Sequence, residues 1–141
     1  MEAYENGTHM YHTTMPTDAL TRLSEVMRET QIYGFDKVCA EQHALGLKVR
    51  ALLESRGIQS VAAKGFQAPG VVVSYTTDVG MHNSKKFSAL GLQTAAGVPL
   101  QLGESAEFRT FRLGLFGLEK LLHIERAINH LETAMNQITT K

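Results

Sequence analysis

Apolar residues recur at helical spacing in three stretches of this chain, and shorter apolar runs between them read as strands. Leu20, Leu23, Met27 and Ile32 form a modest stripe after Pro16-Thr17-Asp18, where Thr17 is the expected N-cap and Asp18 suits the helix dipole. Gly34 ends that stripe. A second follows on Phe35, Val38, Leu45, Val49, Leu52 and Leu53, with Gly57 as its stop. Ile58 to Ala62 reads as a short strand, and Val71 to Tyr75 as a stronger one behind Pro69-Gly70. Asn83 or Ser84 is expected to cap a helix running to about Leu92, and Gly97-Val98-Pro99 to form a turn or short edge segment. Phe108 to Leu115 alternates as a strand. The last stripe is the clearest: Leu121, Ile124, Ile128, Leu131, Met135 and Ile138 repeat every three or four residues, which suits a helix covering a sheet. Residues 1–16 show no clear period. The order of elements predicts an α+β two-layer sandwich, a small mostly antiparallel sheet covered by helices.

Composition narrows the function classes. The 141 residues fit one domain with a buried core, and 43% apolar with 20% charged residues is ordinary for a globular protein. Fourteen basic residues balance fourteen acidic ones, which leaves no electrostatic footprint for nucleic acid or an anionic membrane. No apolar run approaches the roughly 20 residues needed to cross a bilayer, and no signal peptide is visible. A single cysteine, Cys39, excludes an internal disulfide and fits a reducing cytoplasm. Its place in the second stripe predicts a buried structural thiol. His9 and His12 sit three apart and the other four histidines are scattered, with no cysteine or carboxylate that completes a ligand set. Neither a glycine-rich phosphate loop nor a nucleophile elbow is present.

Two segments carry candidate chemistry. In Phe111-Arg112-Leu113-Gly114-Leu115-Phe116-Gly117, strand alternation turns Arg112, Gly114 and Phe116 to one side and Phe111, Leu113 and Leu115 to the other. Gly114 removes a side chain beside the guanidinium and is expected to leave open space there. A guanidinium facing such a space grips a carboxylate through two parallel hydrogen bonds. Spacing alone is equally compatible with an edge-strand arginine paired to a structural acid. Tyr11-His12-Thr13-Thr14, ahead of a helix start, offers four hydrogen-bonding side chains that suit an anion such as phosphate or form a solvated loop.

Taken together, Tyr11-His12-Thr13-Thr14-Met15-Pro16, the Ala68-Pro69-Gly70 run into Val71-Val72-Val73, and Phe111 to Gly117 resemble the C-terminal portion of class V pyridoxal-phosphate (PLP) aminotransferases, of the alanine/serine–glyoxylate type. The resemblance covers nearly the whole chain in the right order. It implies that residues 1–16 correspond to the end of a large domain, and that 17–141 are a connecting helix and the C-terminal aminotransferase domain. It also implies that Arg112 binds the substrate carboxylate. Tyr11 and Thr14 would contact the phosphate of PLP across a dimer interface, so a second copy or a large-domain partner chain is expected. In the family, PLP is held as a Schiff base by a lysine of the large domain. None of the seven lysines here (Lys37, Lys48, Lys64, Lys85, Lys86, Lys120 and Lys141) falls on that motif. The expectation is therefore a domain of an aminotransferase acting on small amino and oxo acids, not catalytically competent by itself, with no Schiff-base lysine of its own. The reading from a different class is a stand-alone, non-catalytic binding or dimerisation module.

Overall fold

The computed structural model describes residues 2–8 and 14–139. They form two compact units, Met1–Gly34 and Phe35–Lys141. In the first, α1 (Glu2–Glu5) precedes α2 (Thr17–Tyr33), and neither helix has a buried residue. Thr17 is the first helical residue and not the cap. Pro16 takes the cap position because its carbonyl accepts from the Leu20 amide at 3.0 Å, and no side chain caps the helix. Gly34 ends α2 as predicted, at φ 101°, a conformation that glycine adopts without steric cost.

The second unit opens with α3 (Phe35–Glu54). Its stripe is buried only from Leu45 onward, through Val49 and Leu53, and Phe35 is exposed. Cys39 is exposed as well, which corrects the expectation of a buried thiol. It stands one residue, about 100° of helical rotation, beyond the half-buried Val38. Gly57 ends the helix in a Schellman arrangement, with the Ile58 amide on the Leu53 carbonyl and the Gly57 amide on that of Glu54.

Three antiparallel strands follow: β1 (Val71–Tyr75), β2 (Ala95–Ala96) and β3 (Thr110–Gly114), in the order β1-β3-β2. The fold is α+β, as predicted, but the arginine-bearing strand β3 is central and not at an edge. Its register pairs Val73 with Arg112 and Ala95 with Arg112. Residues 58–62 form no strand. A single bridge, Ser60 with Ser74, and two backbone bonds to β1 are all they contribute, because the chain turns away after Val61. Val72, Phe111, Leu113 and Leu115 occupy the sheet face that meets the helices, with Phe111 stacked obliquely on Phe87 at 5.3 Å.

Between β1 and β2 stand α4 (Val79–His82), which was not expected, and α5 (Lys85–Ala89), the expected helix, with Ser84 in its cap position and its end short of Leu92. They are divided at Ser84, which is left-handed at φ 64°. The cap that sequence reasoning missed is Asp78, whose carboxylate accepts from the Met81 amide at 2.9 Å and pairs with Lys86. The final stripe is likewise divided, into α6 (Leu118–Leu122) and α7 (Ile124–Thr139), with the break at His123. Its apolar residues nonetheless all join the core cluster.

Two of these contacts predict measurable effects. The hydrogen bond to Lys86, then that to the Met81 amide, holds the Asp78 carboxyl below its ordinary value of 3.8. A depressed carboxyl stabilises the fold above that ordinary value, and the contribution is lost as pH falls through the lower folded-state value. Asp78→Ala is expected to lower stability by about 1 kcal/mol at neutral pH and by progressively less below pH 3.8, as followed by urea unfolding at several pH values.

Arg50 is the second. It is 5% exposed and donates to the carbonyls of Ala68 at 2.8 Å and Val71 at 3.0 Å, beside Gln42, which donates to that of Pro69. Burial pushes its guanidinium below the usual arginine range, and Glu54 opposes that shift. Arg50→Met strands both carbonyls and is expected to cost about 2–4 kcal/mol by urea unfolding, whereas a loss under about 0.5 kcal/mol would contradict this role.

Candidate functional site

The site is built on β3 and is fixed from the other side of the sheet. Arg50 and Gln42 of α3 hold the 68–71 backbone, and Gly46 lets α3 approach it: a Cβ there would lie 2.7 Å from the Pro69 carbonyl oxygen. That anchoring sets the start of β1 at Val71, and hence the pairing of Val73 with Arg112. The Leu115 amide closes the same end by bonding the Gly70 carbonyl at 2.9 Å.

Arg112 stands on the face of β3 opposite Phe111, Leu113 and Leu115, between Val73 of β1 and Ala95 of β2. It is half-buried. Its Nε donates to the Ala96 carbonyl at 2.9 Å, which draws the guanidinium toward β2. No carboxylate among the described residues forms an ion pair with it. Its terminal nitrogens, the two that grip a carboxylate side by side, have no hydrogen-bond partner among those residues either. The structural-acid reading of Arg112 therefore has no acid to name. Within this unit, an oriented cation with its fork unengaged is the arrangement that bidentate recognition of a planar anion requires.

Gly114 does not leave the space beside Arg112 empty. The ring of Phe116 lies over it, so that a Cβ on Gly114 would be 3.5 Å from Phe116 Cδ2, and one on Gly70 only 2.8 Å from Phe116 Cε1. The two glycines form a slot for the aromatic ring, which gives the site an apolar wall. Sequence reasoning put Phe116 on the Arg112 side but missed that its ring fills the space at Gly114, and it missed the Ala96 carbonyl. Gly70 and Gly114 were the visible signals for a close approach, but the partner was intelligible only once β1 and β3 were paired.

Tyr11 lies outside the described residues. Thr14 is described, exposed, and ahead of α2 in the first unit, whereas Arg112 belongs to the second. Among the described residues no group of histidine, cysteine and carboxylate side chains is placed to hold a metal ion, and no helix is long and apolar enough to cross a membrane.

No family model and no curated protein matches the chain. Solved structures do match. The crystal structure of an alanine–glyoxylate aminotransferase from Nostoc sp. aligns with a TM-score of 0.65 at 18% identity, over 89% of this chain and 33% of that one. At that identity the likeness shows a shared fold. The chain spans about a third of the length of the enzyme it matches.

Proposed function

We propose that this chain is the substrate-carboxylate-binding domain of a PLP-dependent aminotransferase of the class V, alanine/serine–glyoxylate type. The observation that carries the proposal is Arg112: a guanidinium on the central strand, oriented by a backbone carbonyl, with no acid in ion-pairing reach among the described residues. The fold shared with part of an alanine–glyoxylate aminotransferase supports it. In this reading residues 1–16 are the end of a large domain and 17–141 the connecting helix and small domain.

Arg112 docks the carboxylate common to alanine, serine and glyoxylate. The carbonyl of Ala96 restrains rotation of the guanidinium, so less freedom is lost when substrate binds. Phe116, with Val73 and Ala95, presents apolar surface that favours short side chains beside the clamp. The donor set available for PLP is limited to its phosphate end. Tyr11 and Thr14 carry hydroxyls of the type that hold phosphate oxygens, and the resemblance directs them to a neighbouring subunit. PLP, when bound, supplies the electron sink for amino-group transfer. The covalent lysine belongs to the large domain of the family, so turnover requires that domain and, by the same reading, a homodimer or a large-domain partner chain.

Adding PLP and then alanine to the 141-residue chain is therefore expected to give no alanine-responsive Schiff-base band beyond that of PLP and alanine in buffer. Such a band from this chain alone would overturn the assignment. Supplying a lysine-bearing large domain together with PLP, alanine and glyoxylate is expected to yield pyruvate, with a rate that falls when Arg112 is replaced.

A further inference from the structure

The helix-covered face of the sheet holds a second feature, separate from Arg112 by the thickness of β3. An apolar cavity of about 120 Å³ lies among Leu45 and Val49 of α3, Leu113 and Leu115 of β3, and Leu131 of α7. An apolar cavity of about 150 Å³ takes up benzene, so this one has room for an alkyl tail of roughly four carbons, with the polar head left at its mouth.

Three polar side chains, Gln93, Thr94 and Lys120, interrupt the apolar lining. Thr94 contributes to the wall, and its Oγ1 is buried with no hydrogen-bond partner. A buried hydroxyl left unpaired is costly, and a ligand acceptor or donor would relieve that cost. Lys120 is the single charged residue lining the cavity. Its ammonium donates to the Phe116 carbonyl at 2.7 Å, which holds it in place beside the turn at Gly117 and leaves donors to spare. Apolar depth, a lone cation and an unpaired hydroxyl together describe a receptor for a small amphipathic anion.

We propose that this cavity binds a short-chain carboxylate, its alkyl tail among the leucines and its carboxylate at Lys120. Such a ligand would tie β3 to α6 and α7 directly beneath the strand that carries Arg112, and its occupancy would stiffen that strand. The site does not depend on the aminotransferase reading.

The test is a heteronuclear NMR titration of the chain with pentanoate, with pentan-1-amine as the charge-reversed probe and pentan-1-ol as the neutral one. Pentanoate is expected to shift Leu45, Leu113 and Leu131 saturably and to bind at least about tenfold more tightly than the amine. Lys120→Gln is expected to abolish that preference while the alcohol still binds. Ala127→Leu, which adds carbons to the wall, is expected to exclude all three probes. On an Arg112→Gln background the pentanoate shifts at the leucines should persist, which separates this site from the clamp. Equal affinity for amine and carboxylate, no saturable shifts at the leucines, or binding lost with Arg112 would overturn the proposal. Lys120 is partly solvent-exposed, so its variant remains informative even if Ala127→Leu fails to fold.

Discussion

Gly97→Ala is expected to destabilise the second unit by about 3 kcal/mol or more, the upper end for overpacking. A Cβ at this position would lie 2.0 Å from the Thr110 carbonyl oxygen and 2.6 Å from Thr110 Oγ1. Neither neighbour gives way easily. Thr110 is 1% exposed, and its carbonyl already bonds Nδ1 of His82 at 2.8 Å. The Gly97 amide in turn bonds the carbonyl of His82 at 3.1 Å, so Gly97, His82 and Thr110 form one closed junction between β2, α4 and β3. Relief must come from moving the β2 backbone. That would displace the Ala96 carbonyl from Arg112 Nε, so the variant is expected to lose carboxylate binding along with stability. Gly114→Ala is the matched control: its Cβ would meet Phe116 at 3.5 Å, an ordinary contact, and the expected change is under about 1 kcal/mol. Urea unfolding of both variants measures the contrast, and equal midpoints would show that the junction at Gly97 yields.

Arg112→Lys is expected to weaken binding of small 2-oxo and 2-amino acids by about ten- to a hundredfold, from the 1.5–3 kcal/mol assigned to hydrogen bonds with charged groups. The charge is retained, so a loss of this size would report the geometry of the fork and not its sign. Stability should fall by no more than about 1 kcal/mol, because the substitution removes only the exposed Nε bond to the Ala96 carbonyl, and the terminal nitrogens hold nothing in the fold among the described residues. Loss of binding with so little loss of stability distinguishes a clamp from a structural arginine. An unfolding change as large as that expected for Arg50→Met would place Arg112 in the scaffold instead.

The contrast between these two arginines marks what the chain disclosed beforehand. Arg112 stood out because an apolar alternation surrounded it, and alternation is a local property. Arg50 gave no such signal: it sits in a helical stripe, and its acceptors are carbonyls 18 and 21 residues further on. Only the packing of α3 against the start of β1 brings them together. The long stripes of α3 and α7 were legible for the same local reason, since periodicity over four or five turns outweighs any single residue. The break at His123, where the backbone leaves helical angles, was not. The cap position at Ser84 was read from the sequence, whereas α4 and its cap Asp78, an aspartate three residues ahead of Met81, were missed. Two-residue β2 has no pattern of its own. It is a strand because β3 offers it a partner, and it supplies the carbonyl that orients the clamp.

Engagement of a carboxylate by Arg112 is the central claim to be tested. The decisive measurement is an NMR titration of the isotopically labelled chain with glyoxylate, following the Arg112 guanidinium signals and the amides of Val73 and Ala95. Saturable shifts at all three, with the affinity read at the Val73 and Ala95 amides falling at least about tenfold in Arg112→Lys, are the predicted result. Shifts that survive the substitution, or guanidinium signals that do not respond to glyoxylate, would contradict it.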